Sequence, residues 1–155
     1  MLEIFYHGSN EKDLKSIKST GTYFDGLFCS ADIEVAQSHG EFVYEVACRG
    51  PVLKTRMLDY GLDYEVVKKA LDDTLSEDGC TFFNDDDEES IWEAVVSDTL
   101  PYGHTLFSDN LADSSWHAQA LRGKLAKRLG YNVVEMNDEH GTSYLVVKAE
   151  SMKLL

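Results

Sequence analysis

The 155-residue sequence has few of the features that would place it in several common classes. Its three cysteines, Cys29, Cys48 and Cys80, are odd in number and widely and irregularly spaced, which argues against a disulfide frame or a zinc site and suits reduced thiols in a cytosol. No apolar run approaches the roughly 18 residues that a membrane span requires. The opening Met-Leu-Glu-Ile-Phe-Tyr-His-Gly carries an early acid, no basic region and no small-residue cleavage site, so no secretory signal is expected. There is no proline-rich or serine-rich linker, no internal repeat, and no glycine-rich phosphate loop of the Rossmann or P-loop type. Lys and Arg are missing from the whole stretch Ala70 to Leu121.

That last gap explains the charge. Thirteen of the 28 acids fall inside it, so the rest of the chain, with 14 basic and 15 acidic residues, nets only -1 of the total -14. A field of that sign repels nucleic acid and attracts a basic protein surface, including one that itself binds nucleic acid. A solvated acidic helix face that aids solubility is the plainer reading of the same residues. The run Asp85 to Glu89 admits both: it can imitate DNA phosphates, or simply load a helix start.

At this length, and with 43% hydrophobic residues, one domain with one substantial core is expected, spanning residues 1–155 with an acidic helical insertion at about 60–112. Alternation from Leu2 to His7 predicts a strand stopped by Gly8-Ser9-Asn10, with His7 on the side of Phe5. Glu11 to Gly21 reads as an irregular helical turn. Leu27-Phe28-Cys29 predicts a short strand, followed by a helix capped by Ser30 and ended by Gly40, then a strand from Phe42 to Cys48. Val66, Val67, Ala70 and Leu71 mark one face of a helix from about Asp63 to Leu75. Ile91, Trp92, Val95 and Val96 mark the buried side of another.

Ser114 or Ser115 is expected to cap a helix with Ala118, Leu121, Leu125 and Leu129 inward and Gly130 just beyond it. Tyr131 to Glu135 and Tyr144 to Val147 then form a closing hairpin. The order suits an α+β fold with a mostly antiparallel sheet, rather than a doubly wound one.

Two stretches can carry chemistry. His7-Gly8-Ser9 at a strand end can offer a ring nitrogen to a ribose hydroxyl, while Gly8 lets backbone groups approach a planar amide. The turn Asn137-Asp138-Glu139-His140-Gly141 exposes two carboxylates side by side, although a plain polar turn has the same composition. Three adjacent residues rarely converge on one ion, so no metal is expected at Asp138, Glu139 and His140. Cys29 reads as a buried core thiol, Trp92 and Trp116 as core aromatics, and His104 and His117 have no assigned role.

His7-Gly8-Ser9, Gly26-Leu27-Phe28-Cys29-Ser30 with its following helix, and a late carboxylate together resemble the NAD pocket of ADP-ribosyltransferases, in the branch that places histidine on the first strand. The resemblance implies split antiparallel sheets around an NAD cleft, with His7, Gly8, Ser9, Phe28, Ser30 and His39 as cofactor-binding residues. His39 stands where that branch presents a stacking tyrosine, and Ala36 where many relatives carry a serine. Ser115 to Ala120, Ala126 to Tyr131 and Met136 to Tyr144 resemble more closely the phage anti-CRISPR ADP-ribosyltransferases that disable the type I-F surveillance complex.

This resemblance implies NAD as co-substrate, a basic host protein as target, no direct nucleic acid or membrane partner, and a place in the host cytoplasm. Cleaving the nicotinamide–ribose bond passes through an oxocarbenium-like species that a carboxylate on the ribose hydroxyl stabilises. The glutamate that the wider superfamily sets before its last aromatic is replaced here by Ser143. Asp138 or Glu139 must then supply the catalytic carboxylate, and the anti-CRISPR resemblance favours Asp138. The alternative is a catalytically inactive acidic protein that inhibits a basic nucleic-acid-binding partner by occupancy. A third option is a toxin aimed at host metabolism.

Overall fold

The structure, a computed structural model, describes residues 1–14, 26–79, 88–99, 106–138 and 141–155. The expectations for Glu11 to Gly21 beyond residue 14, for Asp85 to Asp87, and for Cys80, His104, Glu139 and His140 therefore fall wholly outside the described residues. The strands are β1 (Leu2–Ser9), β2 (Leu27–Cys29), β3 (Phe42–Arg49), β4 (Val133–Asp138), β5 (Gly141–Val146) and β6 (Ser151–Leu154). The helices are α1 (Ile33–Gln37), α2 (Tyr64–Asp78), α3 (Glu88–Ile91), which runs on as a π-helical stretch Trp92–Ser97, and α4 (Leu111–Arg128); a π-helical turn Met57–Gly61 precedes α2. Among the described residues, no helix is long and apolar enough to cross a membrane.

The strands form two antiparallel three-stranded sheets, ordered β1-β3-β6 and β2-β5-β4. The sheets touch where β1 meets β2: Tyr6 and Ser30 exchange backbone hydrogen bonds, each of 2.8 Å. One hydrophobic cluster lies between the sheets, combining Phe5, Tyr44, Val46 and Cys48 with Leu27, Cys29, Val133 and Val146. A larger cluster joins α2, α3 and α4 to Val134, Met136 and Leu145 of the second sheet. The second sheet is thus buried on both faces at Val133–Val134 and Leu145–Val146, where adjacent apolar residues point to opposite sides. The α+β class and the antiparallel pairing agree with the expectation from sequence.

Several boundaries differ, each for a local reason. β1 runs on through Gly8 and Ser9, because β3 supplies partners for both at Val43 and Phe42. The cap of α1 is Asp32, whose Oδ1 accepts from Glu34 N at 2.8 Å; Ser30 lies one step back, accepting from Asp32 N at 2.9 Å. That helix ends at Gln37, before Gly40.

α2 extends to Asp78, where Gly79, at φ 64°, takes the left-handed conformation that closes many helices. Its inward face is Val67, Ala70, Leu71 and Thr74, while Val66 is exposed. α4 begins at Leu111 under an Asn110 cap, because Asn110 Oδ1 takes Asp113 N at 3.1 Å. Ser114 is inside that helix and buried, with its hydroxyl accepting from Phe107 N at 3.0 Å. The hairpin is longer than expected, with pairing from Val133↔Val146 out to Asp138↔Gly141, and β6 is an element the sequence reading missed.

Candidate active site

The junction of β1 and β2 opens into a cleft of about 400 Å³. Its walls come from five elements: His7 and Gly8 of β1, Phe28 of β2, Ala36 of α1, Trp116 and Gln119 of α4, and Asp138 and Ser143 of the closing hairpin. Ser30 and His39 also line it. The cleft therefore brings together His7, Gly8, Phe28, Ser30, His39 and Asp138, drawn from positions up to 131 residues apart. Ser9 is not among the lining residues; its hydroxyl accepts from Glu11 N at 3.0 Å, which holds the turn after β1.

His7 Nδ1 lies 2.7 Å from the carbonyl oxygen of Phe28. A carbonyl can only accept, so Nδ1 carries the hydrogen and donates; in the neutral ring Nε2 then keeps its lone pair. This bond crosses between the two sheets and fixes the imidazole at the cleft wall. Gly8 lines the cleft, and its missing side chain also serves packing. A Cβ there would stand 2.0 Å from Ala36 O, so the missing side chain makes room for α1 to lie against β1. By this means α1 brings Val35, Ala36 and His39 to the cleft.

On the opposite wall, strand register decides what faces inward. Phe28 pairs with Leu145, and Ser143 with Met136. Because side chains alternate along a strand, Phe28, Ser143, Leu145, Met136 and Asp138 share one face of the second sheet. Leu145 and Met136 are covered by the helices, while Phe28, Ser143 and Asp138 reach the cleft. Ser143 is buried, and among the described residues its hydroxyl has no hydrogen-bond partner.

β4 would be an edge strand, and its outer edge is satisfied piece by piece. Leu53 N donates to Val133 O at 2.9 Å and Leu53 O accepts from Glu135 N at 3.0 Å. Asp98 Oδ2 takes Asn137 N at 2.6 Å, from a left-handed backbone at φ 54° that ends the π-helical stretch. Burial pushes the Asp98 carboxyl above its usual range, against the pull of nearby Arg122. Arg122, with no exposed surface, donates to Glu135 O at 3.0 Å, to Val95 O at 3.0 Å, to Val96 O and to Thr55 Oγ1 at 2.8 Å. Burial lowers its pKa, and the neighbouring Asp98, Glu135 and Asp59 oppose that shift. The π-helical stretch Trp92–Ser97 and Asp98 are thereby tied to the strand that ends in Asp138.

Arg122 and Asp98 were missed in the sequence. Arg122 had a signal, since it lies four residues after Ala118 and three before Leu125, on the apolar stripe of its helix. Trp116 was expected in the core, yet it is exposed and lines the cleft. Trp92 is half-buried, packed on Tyr64 at 5.0 Å between centroids. His117, given no role in the sequence reading, has Nε2 2.7 Å from Asp78 Oδ2 and stacks on Phe107. Lys124 donates to the other oxygen of Asp78.

Cys29 is buried as expected, and burial pushes its thiol well above the ordinary range; Cys48 is pushed up to about 11 for the same reason. Neither supplies a thiolate nucleophile. Among the described residues, no group of three or more His, Cys, Asp or Glu side chains is placed to hold a metal ion.

Comparison with known proteins matches the chain to a family model and to solved structures. The family model described as "Anti-CRISPR Type I-F ADP-ribosyltransferase AcrIF11" matches residues 3–153. A solved structure described as "Crystal structure of an anti-CRISPR protein" superposes with a TM-score of 0.70 at 31% sequence identity, covering 100% of this chain and 96% of that chain. No curated protein matches the chain significantly.

Proposed function

The chain belongs to the AcrIF11 family of anti-CRISPR type I-F ADP-ribosyltransferases, and from that premise we propose that it transfers ADP-ribose from NAD to a protein subunit of a CRISPR surveillance complex, with Asp138 as the catalytic carboxylate. The observation that carries this reading is the convergence of Asp138 with His7 and Phe28 on one cleft.

The cleft suits such a ligand. Its volume of about 400 Å³ lies at the lower end of the range of small-molecule sites, roughly 300 to 1,000 Å³, and so fits part of a dinucleotide. Its lining combines aromatic faces at Phe28 and Trp116 with a lone-pair nitrogen at His7, a carboxylate at Asp138 and an unpartnered hydroxyl at Ser143. NAD supplies the ADP-ribosyl group, held to nicotinamide by a bond whose rupture leaves positive charge on the ribose.

Asp138 opposes that charge. A carboxylate held on a rigid hairpin is worth more than a mobile one, because no reorganisation is needed when the charge develops. Asp98 and Arg122 supply the rigidity through Asn137 and Glu135, the neighbours of Asp138 on the same strand. His7, locked by Phe28, accepts a hydroxyl hydrogen at Nε2 and orients the sugar. Phe28, with its ring on the face shared with Asp138, flanks the nicotinamide plane, and His39 stands across from it. Trp116 and Gln119 limit the entry of water from the α4 side.

Target choice rests on charge. α3 and the π-helical stretch after it expose Glu88, Glu89 and Glu93, while Asp72 and Glu77 of α2 are paired with Lys68 and Arg128; the acidic face suits a basic DNA-recognising subunit. The test is to incubate the protein with NAD and a purified type I-F complex and to measure the intact mass of each subunit. We expect one ADP-ribose on one subunit, with loss of DNA binding only when NAD is present. Inhibition that is stoichiometric, independent of NAD and steeply weakened by salt would overturn the enzymatic reading in favour of occupancy.

A further inference from the structure

Ser143 stands on β5 immediately before Tyr144 and lines the cleft. Its residue is only 9% exposed, and among the described residues its Oγ has no hydrogen-bond partner. Buried hydroxyls nearly always find a partner, since an unmade bond forfeits the hydration lost on folding. Ser143 pairs with Met136 of β4 and lies one residue beyond Tyr144–Val146, the part of β5 that pairs with β2. Yet the hydroxyl is not sealed in the core: it lines the cleft, on the same sheet face as Asp138.

The two side chains complement each other. Asp138 pairs with Gly141, two residues before Ser143, so the carboxylate and the hydroxyl are diagonal neighbours across the hairpin. An ionised carboxylate only accepts, whereas a serine hydroxyl both donates and accepts. We propose that Ser143 Oγ is a ligand-binding group that hydrogen-bonds a ribose hydroxyl of the bound dinucleotide beside Asp138. This rests on the NAD reading above and adds to it a second sugar contact. Ser143 binds and orients; the carboxylate remains the charge-stabilising group.

A hydroxyl kept for a ligand has an unusual signature, because removing it helps the empty protein and harms the complex. The experiment is calorimetric titration of wild type and Ser143→Ala with NAD and, separately, with nicotinamide, together with thermal unfolding of both proteins without ligand. The expected result is a Tm for Ser143→Ala equal to or above that of wild type, NAD affinity weakened about 5- to 10-fold, as one neutral hydrogen bond implies, and unchanged affinity for nicotinamide. Equal NAD affinity in the two proteins overturns the proposal while leaving the NAD reading intact. A lowered Tm with unchanged NAD affinity shows a structural role and also overturns it. Equal weakening of NAD and nicotinamide overturns the ribose assignment. Failure of wild type to bind NAD removes the underlying reading and the proposal with it.

Discussion

Replacing Arg122 by methionine keeps most of the side-chain volume but removes every hydrogen bond that the guanidinium makes. Two buried carbonyls, of Val95 and Val96, lose this donor, together with the part-buried carbonyl of Glu135 and the hydroxyl of Thr55. An orphaned buried acceptor costs about 1 to 3 kcal/mol, so the two buried ones set a floor of about 2 kcal/mol and the part-buried groups add to it. The half-buried carboxyl of Asp98 loses the opposing charge of the guanidinium as well. Part of the loss is offset because the guanidinium no longer has to be taken out of water, which keeps the total at roughly 3 to 5 kcal/mol.

A domain of this size is stable by only about 5 to 15 kcal/mol, so the variant should fold but unfold early. In urea titrations followed by circular dichroism, with a slope of about 2 kcal/mol per molar, the midpoint should fall by about 1.5 to 2.5 M. Arg122→Lys should lie between the two, since an ammonium keeps the charge but lacks the planar fork that reaches separate acceptors. A midpoint shift below about 0.5 M for Arg122→Met would refute the view that this residue ties the π-helical stretch Trp92–Ser97 to β4.

Other expectations follow from single contacts. Gly8→Ala drives a Cβ to 2.0 Å from Ala36 O, so α1 must move; stability should drop by roughly 1 to 3 kcal/mol in the same urea assay, and NAD affinity should fall with it. At Asp78, burial pushes the carboxyl up, but the hydrogen bonds from Lys124 and His117 outweigh it and hold the group below its ordinary value of 3.8. The native state then binds fewer protons than the unfolded one, so this contribution is present above 3.8 and is lost as pH falls through the lower native value. Asp78→Asn should be less stable at pH 7 and show a flatter stability profile below pH ~4 than wild type, as read from thermal unfolding across pH.

Much of the frame could be read from the residues, because its signals are local. The alternation of β1, the apolar stripe of α4, the start of α2 near Asp63 and the runs flanking the hairpin each depend on neighbours within a few positions. What failed depended on distant partners. Val66 fits the stripe of α2 as well as Val67 does, and only the packing of α4 decides that one is exposed and the other buried. β6 exists because the open edge of β3 receives it from Tyr44 to Ala47. Asp98 acquires its role from a left-handed backbone and the amide of Asn137, neither of which leaves a mark in the sequence. Ser114 looked like a cap because caps are serines, but Asn110 already filled that place.

The candidate site was legible in a similar way. Gly8 was marked as a residue whose small size mattered, but the group filling the space proved to be the carbonyl of Ala36. The position of Ser143, where the superfamily pattern has an acid, could be read from the sequence, whereas the unpartnered state of its hydroxyl could not. Trp116 went unnoticed as a cleft residue because an aromatic on a helix is usually core.

In the proposed reaction Asp138, held at the end of β4, is the carboxylate that stabilises the breaking of the nicotinamide–ribose bond. Its most direct test is the rate of nicotinamide release from NAD, in the presence of the type I-F complex, by wild type, Asp138→Asn and Glu139→Ala. Loss of a preorganised electrostatic group costs about 100- to 1,000-fold in kcat, so Asp138→Asn should fall by that amount with NAD affinity changed only slightly, while Glu139→Ala stays near wild type. Turnover by Asp138→Asn within a few-fold of wild type would contradict the account.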